Sequence, residues 1–170
     1  MIQAPFEICK VVPADAEAIS QLISGLSRYF TLHPEGLGAE AFLRTIEPAA
    51  IRQWIEAPNM AYFKAVQNGR LAGVVAMRDL AHLYHLFVAP AFQGAGLARL
   101  LWEHASRHAK SNGNPGSFTV NSTPHAVPVY ERFGFTATGP RVEMNGIAFV
   151  PMRLDTHLPH CPNIGRTTVG

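Results

Sequence analysis

The run from His82 to Lys110 constrains the fold more than any other stretch of the chain. An apolar, strand-like segment, His82 to Val88, is followed by Pro90 and by the turn Gln93-Gly94-Ala95-Gly96-Leu97-Ala98. That turn leads without a break into a helical stretch ending near Lys110, with Leu97, Leu100, Leu101 and Ala105 expected on one face and Glu103 and Arg107 outward. A helix N-terminus offers unpaired backbone N–H groups and the positive end of the helix dipole, so a glycine-rich turn feeding one suits a pyrophosphate. Gly94 and Gly96 let backbone approach the ligand, the small Ala98 keeps the first turn open, and Gln93 adds an amide donor. By itself the turn is equally compatible with dinucleotide binding or with tight packing. A dinucleotide fold needs Gly-x-Gly-x-x-Gly with an acidic ribose ligand about 20 residues on, where this chain has Asn112-Gly113-Asn114. No Gly-Lys-Ser/Thr follows the glycines, which excludes a Walker loop.

The surrounding pattern is that of a mixed α/β domain of the α+β type. Phe6 to Val12 partly alternates as a strand, and Pro13-Ala14-Asp15 opens a helix with the stripe Ile19, Leu22, Ile23 and Leu26. His33-Pro34-Glu35-Gly36 breaks the chain, and 39–46 and 49–56 read as two short helices, or one kinked helix, divided at Pro48. Met60 to Gln67 and Leu71 to Met77 form strands joined by Asn68-Gly69, a two-residue hairpin turn. Ser117 to Asn121 is a short strand, Pro124 starts a helix through Tyr130, and Phe135 to Thr138 with Glu143 to Leu154 make a closing strand pair. Asn145-Gly146 is a turn or bulge within it.

With 170 residues, 48% of them hydrophobic and 15% charged, the chain suits a single domain, 1–155, followed by an extended tail, 156–170. The net charge of +2 is not gathered into a basic block, so no nucleic-acid partner is expected. No apolar run reaches the length of a membrane span, and Glu7 interrupts the place of a signal peptide, so no membrane partner and a cytoplasmic location are expected. No metal is expected either. His104 and His108 lack the intervening Glu of a zinc helix and read as exposed helix histidines, and His157, His160 and Cys161 lack a second half-site. Cys9 and Cys161 lie away from the turn, which disfavours a covalent acyl-cysteine.

Three motifs in order carry a resemblance: Leu86-Phe87-Val88-Ala89-Pro90, then Gln93-x-x-Gly96-x-Ala98, then Tyr130-Glu131-x-x-Gly134-Phe135. Together they resemble the GNAT superfamily of N-acetyltransferases, most specifically over 82–135. The resemblance implies a mostly antiparallel, splayed sheet flanked by helices, with acetyl-CoA as acyl donor and direct transfer to a primary amine in a ternary complex. It implies cofactor contacts from Leu86, Phe87, Val88, Gln93, Gly94, Ala95, Gly96, Leu97, Ala98 and Asn121, with helix capping as the alternative for Asn121; Thr123 reads as a cap. Tyr130 matches the acid that protonates the leaving thiolate. His82 is the first candidate for the base and His85 the second. Regular pairing puts Tyr84 on the face of His82 and His85 on the other, unless a bulge reverses the parity. The acceptor, a small amine or a peptide or protein amine, would be shaped by Arg28 to Pro58, where Tyr29, Phe30, His33, Phe42 and Trp54 line a pocket or belong to the core. The superfamily also allows a homodimer, and a non-catalytic acyl-CoA sensor is the alternative to an enzyme.

Overall fold

Two Asn-Gly turns organise the strand pairing. The computed structural model describes residues 4–156. Strands β2 (Met60–Gln67) and β3 (Arg70–Arg78) meet through Asn68 and Gly69, whose φ angles of 51° and 71° are the left-handed pair that a tight hairpin needs. The second turn, Asn145 and Gly146 at 52° and 73°, splits the expected strand 143–154 into β7 (Val142–Met144) and β8 (Ile147–Asp155). With β1 (Glu7–Lys10), β4 (His82–Val88), β5 (Ser117–Ser122) and β6 (Thr136–Ala137) they form a sheet of order β1-β2-β3-β4-β5-β8-β6, with β7 added on β8. Every pairing is antiparallel except β4 with β5.

The sheet separates two cores. Along β3, Val74 and Ala76 face one way with Tyr62, and Val75 and Met77 face the other with Phe63, as a two-residue period demands. The first face is covered by α1 (Ala16–Gly25) and α3 (Pro48–Glu56), through Ile19, Ile23 and Ile51. Pro48 opens α3 and separates it from the short α2 (Glu40–Arg44), as its missing N–H favours. The second face carries α4 (Leu97–Ser111) and α5 (Val127–Arg132), through Leu101, Trp102 and Tyr130. Leu100 is not in the stripe: it is exposed, and Trp102 and Ala109 are buried with Leu97, Leu101 and Ala105. At ~100° per residue a stripe spaced by fours drifts ~40° each step, toward Trp102 and away from Leu100. His104 and His108 are half-buried rather than exposed, edge-on to Phe63 at 4.5 and 5.1 Å. Cys9 is exposed on β1, while His157, His160, Cys161 and all but the first residue of the expected tail lie outside the described residues. Among the described residues no helix is long and apolar enough to cross a membrane.

The segment after α1 is tied across the molecule to the β7–β8 hairpin. Ala148 N–H donates to the Phe30 carbonyl at 3.1 Å and Leu32 N–H to that of Gly146 at 2.9 Å. Gly146 lies so close to Gly38 that a Cβ there would fall 2.4 Å from the Gly38 carbonyl.

Gly73, inside β3, lets α4 lie close on the sheet: an added Cβ would meet the Phe87 carbonyl at 2.8 Å and Leu101 at 3.0 Å. Gly73→Ala is therefore expected to lower unfolding free energy by about 1–3 kcal/mol, the range for overpacking, as read by urea denaturation. An unchanged midpoint would show that α4 moves freely away.

Candidate active site

Strands β4 and β5 pair through only two rungs, His82 with Thr119 and Leu83 with Val120. Beyond them the strands part, while the other edge of β4 stays paired with β3 as far as Val88. The edge of β4 from Tyr84 to Val88 that faces β5 therefore has no sheet partner. Part of the cause is a bulge: Met77 pairs with Leu83 and Ala76 with His85, which leaves Tyr84 as an extra residue.

The bulge also decides which way the histidines point. His85 does not lie opposite Tyr84, as regular alternation predicts; the two rings stand 4.5 Å apart on the α1/α3 face, with Trp54 5.2 Å from Tyr84. His85 is 5% exposed, and its Nδ1 lies 2.9 Å from the Tyr62 hydroxyl. Burial drives the His85 pKa down to about 3, so the ring is neutral near pH 7, and burial pushes the Tyr62 hydroxyl up. His82, half-buried at the start of the strand, has Nδ1 2.8 Å from Thr119 Oγ1 on β5. Its pKa is lowered by desolvation and by Arg78, with Asp79 opposing.

The parted strands open on a cavity of roughly 470 Å³, whose walls include Leu86, Phe87 and Val88 of β4, the turn at Gln93, Gly94, Gly96, Leu97 and Ala98, and Tyr130 of α5. Ala95 and Asn121, also expected at the site, are not in its lining, and Asn121 is exposed on β5. His82 and His85 lie beside the cavity on the sheet face rather than in its walls. Gly94 and Gly96 have φ of 81° and 77°, and a Cβ at either would meet nothing within 4 Å. Their glycine character thus serves the backbone path and leaves open space before the helix. The first bond of α4 runs from Leu100 N–H to the Gly96 carbonyl, so the N–H groups of Leu97, Ala98 and Arg99 have no partner within the helix. The Gln93 side chain, expected to serve a ligand, instead donates to the Val88 carbonyl at 3.1 Å and braces the turn against the strand.

Tyr130 is 6% exposed, with its ring packed edge-on against Phe133 and Phe135. Among the described residues no fully buried side-chain oxygen or nitrogen lacks a partner, and the Tyr130 hydroxyl makes no hydrogen bond, so it opens to the cavity. Burial raises its pKa, which keeps the proton in place. Thr123 is the cap expected of it, its Oγ1 accepting from Ala126 N–H at 3.2 Å.

The lining also holds polar side chains not expected at the site, Arg99, Arg132 and His125, and it includes Tyr29, one of the aromatics expected in a pocket or in the core. Arg99 and Arg132 stand together in the wall, with Arg99 donating to the Arg132 carbonyl at 3.2 Å and lying over the Phe133 ring. Elsewhere in the lining His125 stacks on Tyr29, with ring centroids 4.7 Å apart and an interplanar angle of 24°. Arg99 sits in the first turn of α4 and Arg132 inside the third motif, where both were legible. The sequence leaves Tyr29 between pocket and core, and its stack with His125 has no local signal. Of the other aromatics of 28–58, Phe30 is core with Phe42 against it, Trp54 donates to the Thr45 carbonyl, and exposed His33 accepts from Glu35 N–H.

A family model described as an acetyltransferase (GNAT) domain matches residues 30–156. An acetyltransferase of Agrobacterium fabrum is 37% identical over 72 residues, 42% of this chain and 52% of the relative, so the match spans about half of that protein. The structure of PaiA N-acetyltransferase from Thermoplasma acidophilum in complex with coenzyme A superposes with a TM-score of 0.71 at 14% identity, covering 88% of this chain and 98% of that one. A putative acetyltransferase from Salmonella typhimurium, solved with its cofactor acetyl-CoA, gives 0.68 at 20% identity over 95% of this chain and 99% of its own. At such identities the two structures establish the fold.

Because the folded His85 pKa of about 3 lies below the ordinary 6.5, the unfolded chain takes up a proton that the folded chain refuses as pH falls. This contribution to stability is whole above pH 6.5 and is lost toward pH 3, at ~1.4 kcal/mol per pH unit. The stability difference between the native chain and His85→Gln, measured by urea unfolding, should narrow by about that slope between pH 6.5 and 4.5. A difference independent of pH would mean that His85 titrates normally.

Proposed function

The chain belongs to the GNAT acetyltransferase family, and from that membership we propose that it transfers acetyl from acetyl-CoA directly to an amine. The observation that carries the reading is the parting of β4 from β5 beside a helix N-terminus, with the Tyr130 hydroxyl open to the same cavity. The donor supplies an activated acyl carbon and a thiolate leaving group. The cavity suits it: free first-turn N–H groups, open glycines and the two arginines of the lining favour a pyrophosphate, and the unpartnered edge of β4 favours an extended amide-bearing arm.

In this reading Gly94 to Ala98, Arg99 and Arg132 hold the phosphates. Backbone N–H groups of Leu86 to Val88 on the open edge donate to the acyl oxygen as charge gathers on it. The amine nitrogen bonds to the acyl carbon, the carbon–sulfur bond breaks, and Tyr130 gives its proton to the departing sulfur. A pKa raised by burial keeps Tyr130 a donor until the thiolate forms. His82 is the preferred proton acceptor from the amine. It is half-buried where His85 is enclosed, it stands on the first of the two rungs that join the strands before they part, and Thr119 Oγ1 holds its Nδ1. With Nδ1 donating to Thr119, Nε2 is free to take the proton.

Tyr130→Phe is expected to lower kcat by about 10²-fold or more with little change in acetyl-CoA affinity; unchanged turnover would remove Tyr130 from the chemistry. Arg99→Ala and Arg132→Ala should do the reverse, raising KM for acetyl-CoA with kcat nearly kept. The reading as a whole is tested by free-thiol release from acetyl-CoA across a panel of amines. Donor binding with no amine-stimulated thiol release would make the chain an acyl-CoA sensor.

A further inference from the structure

We infer that the acceptor is a weakly basic amine, the α-amino group beside a neutral carbonyl at a peptide N-terminus or in an amino-acid amide, and not an alkylamine such as a lysine side chain. The inference rests on the transferase reading and takes it further, from an amine to a kind of amine.

Charge is the first ground. No aspartate or glutamate lines the cavity, whose charged side chains are Arg99 and Arg132. The His125–Tyr29 stack in the lining carries Arg28, whose guanidinium lies 5.0 Å over the Tyr29 ring and donates to its hydroxyl at 3.0 Å. On the adjoining face of β4 and β5 the nearby carboxylates are already engaged. Asp79 lies 3.8 Å from Arg78 and accepts from Asn59, and Asp155 lies 2.8 Å from Arg153. An alkylammonium brought to the acyl carbon thus meets no carboxylate in the cavity lining, and an unpaired cation taken out of water is costly.

The second ground is the strength of the available bases. His82 faces Arg78 and Asp79, with Arg153 beside its partner Thr119, and it is a weaker base than an ordinary histidine. His85, enclosed by Tyr62 and Tyr84, is weaker still. Neither is matched to an ammonium of pKa ~10.4, whereas a peptide α-ammonium has a pKa of about 7.7–8.0. At pH 7.5 about a third of such α-amines are already free base, against about 0.1% of lysine side chains, a ratio of roughly 250. A site with no countercharge and only weak bases depends on that fraction.

Two constitutional isomers, Nε-acetyl-lysinamide with its α-amine free and Nα-acetyl-lysinamide with its ε-amine free, test this with the native chain and acetyl-CoA. Thiol release at pH 7.5 should give the α-free isomer a kcat/KM at least tenfold higher, with the gap closing as pH is raised to 9.5 and the ε-amine loses its proton. A peptide whose one amine is its N-terminus, run alongside, separates a polypeptide terminus from a small amide as the source. Equal efficiency of the isomers at pH 7.5, a preference for the ε-free isomer, or thiol release only with alkylamines and polyamines would overturn the inference and leave the transferase reading standing. Thiol release that no amine of either kind stimulates would instead remove the transferase reading.

Discussion

The site depends on how little β4 and β5 share. Two rungs of parallel pairing hold the strands together at His82 and Leu83, and then the sheet divides. A sheet normally satisfies both edges of a central strand, and an unpaired edge inside a molecule is a cost that a ligand's own amides can offset. Everything else is arranged around that edge. The bulge at Tyr84 bends the strand, Gly73 lets α4 lie close enough to bring its N-terminus to the gap, and Gln93 ties the turn back to Val88.

The split between the two faces of β4 has a chemical meaning. Leu83, Leu86 and Val88 pack with α4 into an apolar core, while His82, Tyr84, His85 and Phe87 stand on the α1/α3 side. In the proposed reaction one strand would present backbone to the donor along its edge and imidazoles to the acceptor from its face. The two histidines differ in what encloses them: His85 is shut in by tyrosines, and His82 stands at the margin, oriented by a threonine from the neighbouring strand.

Much of this was legible along the chain because the signals are local. Asn68-Gly69, Pro48, the glycine turn and the Tyr130 motif each act within a few residues, and each forms what its chemistry favours. What escaped depends on partners far away in sequence. The side of the sheet His85 occupies was decided by one residue of register against β3, which no pattern within β4 shows. Gln93 reads as a ligand donor until the Val88 carbonyl is found beside it. Tyr29 and His125 meet only once α1 and α5 have docked, and Leu100 falls outside the stripe because the buried arc of α4 drifts along the helix.

The contact of Gly38 with Gly146 bears on what binding costs. The segment that carries it starts on the α1 side of the gap and is bonded to the β7–β8 hairpin on the other, so it crosses the divide from above, with the Tyr29–His125 stack as a second crossing. Two halves joined by so few strand hydrogen bonds would otherwise hinge at His82 and Leu83. Braced at the far end, the gap has its width set when the chain folds. The entropy of holding its walls apart is then a term of folding, and an incoming donor orders little beyond itself.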